Sequence, residues 1–175
     1  GNLWLMGMFK TRPTRKNRDE IANNEQETYF ALKSNGLDDK TIAALMGNIR
    51  QEQSDFKFDS ENDSDAYGLF QLKGVLRTGY EDYLKEFNQK DGIESQADYV
   101  SDIIKNNYEG SFGDPILGYG NTADLRKSFD EKGMLTQTMN FMDVFENPSD
   151  EEMELNKRFK YTKDYFNQIK KYYTD

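Results

Sequence analysis

Residues 40–71 read KTIAALMGNIRQEQSDFKFDSENDSDAYGLFQ. Ile42, Leu45, Met46 and Ile49 recur at i, i+3, i+4 and i+7, the apolar stripe of an amphipathic helix. The spacing predicts a helix over 40–53, with Asp38 or Asp39 as its N-cap. At about 100° per residue Glu52 falls near Leu45, on the flank of the stripe and not on the opposite, solvated face. Residues 54–66 hold too many Asp, Asn and Ser for a regular helix and predict a loop. A small hairpin pairing 56–58 with 67–70 is expected inside it.

Working outward, residues 24–35 predict a helix carrying Tyr29, Phe30 and Leu32, stopped by Gly36. Downstream, helices are expected over 78–88, 94–107, 122–131 and 134–146. A Gly- and Pro-rich turn region at 109–120 lies between them. Pro148 interrupts, and a last helix rich in aromatics runs from Asp150 through Tyr173. Residues 10–23 are basic and polar, contain Pro13, and read as a linker. The expected organisation is an arm over 1–23 and one domain over 24–175. The start, GNLWLMGMF, precedes the basic KTRPTRKNR. That order is the reverse of a secretory signal and is expected of a piece left from a larger polypeptide.

The chain of 175 residues is long enough for one buried core. Aliphatics are sparse, and the 12 Phe and 11 Tyr must carry much of that core. The net charge of -9 argues against a nucleic-acid partner. No stretch approaches the length of a membrane span. There is no histidine and no cysteine. Disulfides, thiol nucleophiles, Ser-His-Asp triads and Cys/His zinc sites are therefore excluded. Acid–base chemistry falls to Asp, Glu, Lys or Tyr.

Glu52 is the leading candidate. A carboxylate at the edge of an apolar face is partly desolvated, which favours its protonated form. A protonated glutamic acid can give its proton to a leaving oxygen, as glycoside hydrolysis requires. The plainer reading is a helix-end glutamate paired with a Lys or Arg. Asp65, Glu61 and Asp59 are candidates for a second acid. The loop does not match an EF-hand: counting from Asp59, Ser64 stands where the glycine belongs and Phe70 where the glutamate belongs. No metal or cofactor is expected. In Tyr67-Gly68-Leu69-Phe70-Gln71, the glycine allows close backbone approach and Gln71 suits sugar hydroxyl and N-acetyl groups.

The order Met46-Gly47-Asn48-Ile49-Arg50-Gln51-Glu52, a polar loop, then Tyr67-Gly68-Leu69-Phe70-Gln71 resembles the phage tail lysozyme family. The helix before Gly36-Leu37, the stretch Phe141-Met142-Asp143-Val144-Phe145-Glu146-Asn147-Pro148, Arg158 and the aromatic final helix fit the same pattern. The likeness is nearest to tail-tip peptidoglycan hydrolases of small podophages that infect Gram-positive bacteria. It implies a mostly α, lysozyme-like, two-lobed α+β fold with a small β-hairpin beside the cleft. It implies cleavage of the β-1,4 bond between N-acetylmuramic acid and N-acetylglucosamine by a virion-borne enzyme acting at the cell wall. Glu52 maps onto the catalytic glutamate. Tyr67, Gln71, Phe145 and Glu146 would touch the glycan, and other tail proteins would be partners. The chain departs from the family pattern just after Glu52, and Leu72 stands where the family often has Trp. A lytic transglycosylase and a non-catalytic binding or structural tail module are the alternatives.

Overall fold

The computed structural model describes residues 18–105, 133–142 and 150–173. These form α1 (Arg18–Ser34), α2 (Asp39–Glu52), α3 (Val75–Glu86), α4 (Ile93–Lys105), α5 (Met134–Phe141) and α6 (Glu151–Tyr173). The domain is mostly helical, as expected. The turn region at 109–120, the helix at 122–131, the 143–146 end of the 134–146 helix and Pro148 lie outside the described residues.

α1 begins at Arg18, so residues 18–23 are helical and do not belong to the linker read from sequence. Two features explain the early start. Asp19 and Glu20 sit in the first turn, where the helix end favours negative charge. Ile21 is buried and ties that turn to the core.

α2 is the central element. Asp38 caps it, its side chain accepting from Thr41 N at 2.8 Å. Every residue from Thr41 to Ile49 is buried, not only the apolar stripe. The reason is enclosure: α6, α5 and α1 all pack on α2. Small and polar positions on its remaining faces meet helices instead of water. Asn48 and Thr41 accordingly find partners on α5. Asn48 Nδ2 donates to Thr138 O at 3.2 Å, and Gln137 Nε2 donates to Thr41 Oγ1 at 3.0 Å.

Gly47 sets how closely α2 and α6 approach. A Cβ there would lie 2.8 Å from Thr162 N and 2.9 Å from Arg158 O, both backbone atoms of α6. Backbone cannot rotate aside as a side chain does. Gly47→Ala is therefore expected to destabilise the domain by about 1–3 kcal/mol through overpacking, against a helix-propensity gain of about 1 kcal/mol. Urea unfolding of the two proteins checks this; an alanine variant as stable as the parent would show that the helices separate at no cost.

The aromatics build the rest of the core. Tyr99 of α4 packs on Tyr80 and Tyr83 of α3, each pair with centroids 5.4 Å apart. Tyr99 also donates to Leu76 O at 2.8 Å. Tyr173 at the end of α6 stacks on Tyr29 of α1 at 4.8 Å.

The expected hairpin is not formed. Between α2 and α3 the described residues contain no strand, only isolated antiparallel bridges joining Glu61 to Tyr67 and Tyr67 to Leu72. The backbone turns too often for a strand. Phe56, Asp65, Gly68 and Gln71 all have positive φ, at 54°, 63°, 79° and 48°. Phe56 is drawn into the core against Tyr165, its centroid 6.1 Å away, and cannot run alongside residues 67–70. Gln96 of α4 holds the loop in place of ladder bonds. Its side chain accepts from Leu69 N at 2.9 Å and donates to Phe58 O at 2.7 Å.

Candidate active site

Asn48 and Glu52 are four residues apart and share one face of α2. On α6, Glu154, Arg158 and Thr162 recur at the same spacing. The close contact at Gly47 brings these two rows together. Arg158 is completely buried. Its Nη1 donates to Asn48 Oδ1 at 2.9 Å. Its Nη2 donates to Glu52 Oε1 and, at 3.1 Å, to Glu154 Oε1. Gln51 Nε2 lies 3.3 and 3.4 Å from the two Glu154 carboxylate oxygens.

A buried guanidinium is tolerated only when its charge is paired and its donors are used. Two carboxylates and one amide oxygen pair the charge and engage both terminal nitrogens here, while the buried Nε has no partner among the described residues. The pairing also settles the end of α2. Glu52 is its last residue, where the helix dipole disfavours a negative charge, and Arg158 offsets that.

Glu52 is thus placed on the inner flank, as its position in the helix predicts, with its side chain 27% exposed. Its neighbour is different from the one expected. The edge of an apolar face predicts desolvation as the main influence on Glu52; a guanidinium stands beside it. The plainer sequence reading named the right kind of partner.

Asp59, Glu61 and Asp65 are exposed. None of the described contacts joins them to Glu52. Glu61 Oε2 instead pairs with Arg77 Nη2 at 2.8 Å, and Arg77 Nη1 donates to Asp65 O at 2.8 Å. The same guanidinium lies 5.1 Å from the Tyr67 ring centroid. Glu154 is the carboxylate that the fold sets beside Glu52, and sequence reasoning missed it. The i, i+4 spacing of Glu154 and Arg158 was visible, but it resembles any helix-surface pair until α2 is laid against it.

Tyr67 is half-buried, and its hydroxyl donates to Asp91 Oδ2. Tyr80 donates to Asp91 Oδ1 at 2.5 Å, and Gln96 Nε2 adds a third bond at 3.0 Å. Gln71 is buried, its Nε2 donating to Gly68 O at 2.7 Å. Phe145 and Glu146 lie outside the described residues. Among the described residues no group of three or more acids is arranged to hold a metal ion, and no helix is long and apolar enough to cross a membrane. A groove of about 650 Å³ runs between α1 and α4, lined in part by Glu27, Phe30 and Asp98. Glu52 does not line it.

Burial first, and the bond to Asp91 second, push the Tyr67 and Tyr80 phenols well above their ordinary range. The sign of the effect on stability follows. In the unfolded chain these tyrosines ionise near pH 10, while in the folded protein they keep their protons. Their contribution is complete below pH about 10 and is lost as the pH rises above it. Ultraviolet titration is expected to show a set of tyrosines that ionise only as the protein unfolds. Full titration of all tyrosines in a still-folded protein would contradict the Asp91 arrangement.

The phage tail lysozyme family model matches residues 23–169. The chain belongs to the phage tail lysozyme family. No curated protein and no solved structure matches it. For a phage tail lysozyme the substrate class is peptidoglycan and the setting is the phage tail. The match spans both sides of the buried network, Asn48 and Glu52 on α2 and Glu154 and Arg158 on α6.

Proposed function

We propose that this domain cleaves the β-1,4 bond between N-acetylmuramic acid and N-acetylglucosamine, with Glu52 as general acid, and so helps the tail cross the cell wall. The observation that carries this is the setting of Glu52. It is a carboxylate open to solvent on one side and anchored on the other by a fully buried arginine. The proton passes from Glu52 to the glycosidic oxygen as the bond from C1 breaks. Negative charge develops on Glu52 at that moment, and Arg158, its ion-pair partner in the resting structure, is the cation that offsets it.

Water then attacks C1. Asp65, Glu61 and Asp59 are the proposed carboxylates for activating it. Tyr67 would meet the glycan through its ring. Gln71, whose Nε2 is engaged with Gly68 O, is proposed to meet the glycan through its amide oxygen. Phe145 and Glu146 are proposed as further glycan contacts, and other tail proteins as partners. A podophage of a Gram-positive host is the proposed source, and a two-lobed fold around a cleft the proposed form.

One observation favours a second reading. The loop acids make no described contact with Glu52, and Glu154 is committed to Arg158. A lytic transglycosylase needs no separate base for water, because the muramic 6-hydroxyl attacks C1. Mass spectrometry of products from purified peptidoglycan separates the two. New reducing ends support hydrolysis, and the terminal sugar identifies the bond cut. Anhydromuramic ends make it a transglycosylase. No products would leave a binding or structural module.

A further inference from the structure

We propose that Glu154 is a positioning residue for Glu52: it keeps Arg158 paired while Glu52 carries the proton, and so lets Glu52 leave its ion pair during catalysis. This rests on Glu52 being the acid of the preceding reading.

The argument begins with a charge count. Arg158 alone faces two carboxylates, one negative charge in excess at that contact; the half-exposed Lys157, 4.0 Å from Glu154, offsets it only weakly through solvent. A single nitrogen, Nη2, serves both acids. Protonating one of them leaves a balanced one-to-one pair. The two acids are not equivalent. Glu154 is the less exposed, at 17% against 27%. It has an additional donor in Gln51 Nε2 and a second cation, Lys157, whose Nζ lies 4.0 Å away as an ion pair. Among the described contacts Glu52 has Arg158 alone. The carboxylate with more donors and less exposure keeps the ion pair. The one with fewer partners and a solvent-facing side is released to substrate.

The charged groups facing the pair come from both packed helices. α6 supplies Glu154, Lys157 and Arg158. On α2, Arg50 is turned away to Asp164, 3.2 Å distant. α5 contributes Thr138, which carries no charge. Without Glu154, Arg158 would have Glu52 as its sole described carboxylate. Proton transfer would then be tied to a buried, unpaired cation, since Glu52 could take up a proton only by abandoning it.

The test uses the full chain and purified peptidoglycan strands, with Glu154→Gln, Glu154→Asp and Glu52→Gln measured together for kcat, KM and thermal midpoint. Glu154→Gln is expected to lower kcat by roughly 10- to 100-fold, as misplaced catalytic groups do, with KM nearly unchanged. Glu154→Asp, which keeps the charge, is expected to recover most of the loss. Native kcat in Glu154→Gln beside an inactive Glu52→Gln overturns the positioning role and leaves the acid assignment standing. An active Glu52→Gln overturns both. A kcat loss that Glu154→Asp does not recover, tracking the fall in thermal midpoint, assigns Glu154 a structural role only and overturns the proposal. Should Glu154→Gln fail to fold, Gln51→Leu takes its place, because it strips Glu154 of a donor while keeping its charge; an unchanged kcat there counts against the proposal.

Discussion

Glu52→Gln is expected to reduce glycan cleavage by about 10²- to 10⁴-fold, the range removed with a general acid. The substitution keeps size and shape. The amide oxygen can still accept from Arg158 Nη2, and Glu154 remains to balance the guanidinium. Stability should therefore change by no more than about 1 kcal/mol, within the ordinary range for a near-isosteric change. This combination, a dead enzyme with an intact fold, distinguishes a chemical role from a structural one. Counting reducing ends released from purified peptidoglycan, alongside thermal unfolding of both proteins, makes the comparison. Undiminished release by the glutamine variant would remove Glu52 from the mechanism.

The second large effect is on stability. Arg158→Met keeps most of the side chain's length and apolar stem but deletes the cation. Asn48 Oδ1 then loses its donor, and Glu52 and Glu154 are left as like charges around one partly buried site. Removing one partner of a buried ion pair costs about 3–5 kcal/mol. For a domain of this size that corresponds to a fall in Tm of roughly 6–20 °C. Arg158→Lys is expected to fall between the two, because an ammonium has no planar fork to span Asn48 and both acids. Calorimetry or urea unfolding checks the series. A methionine variant within about 1 kcal/mol of the parent would mean that the two acids reach water and the network anchors nothing.

Much of the local structure was legible. The stripe Ile42, Leu45, Met46 and Ile49 forms a helix because a 3.6-residue period places those side chains on one face. Asp38 caps it because a short carboxylate reaches the amide three residues on. The density of Asp, Asn and Ser after Gln53 marked a loop correctly. The expected hairpin within it failed because alternation of residue types says nothing of φ. Phe56 at positive φ, buried against Tyr165, could be seen only once α6 was in place. The start of α1 was missed for a similar reason. Residues 18–23 look like a solvated tether until Ile21 finds the core.

The site divides along the same line. Composition by itself showed no histidine and no cysteine and left Asp, Glu, Lys and Tyr as the acid–base groups. Helical periodicity by itself put Glu52 on the inner flank of α2. What stands against that flank was decided by the tertiary structure. Arg158 lies 106 residues from Glu52 and Asn48 lies 110 residues from Arg158, so no local pattern links them. Their meeting depends on the register of α6 against α2, and that register is set where Gly47 lets the two backbones touch. A sequence specifies which faces its helices must bury. Close packing between those faces determines which charges then have to answer each other.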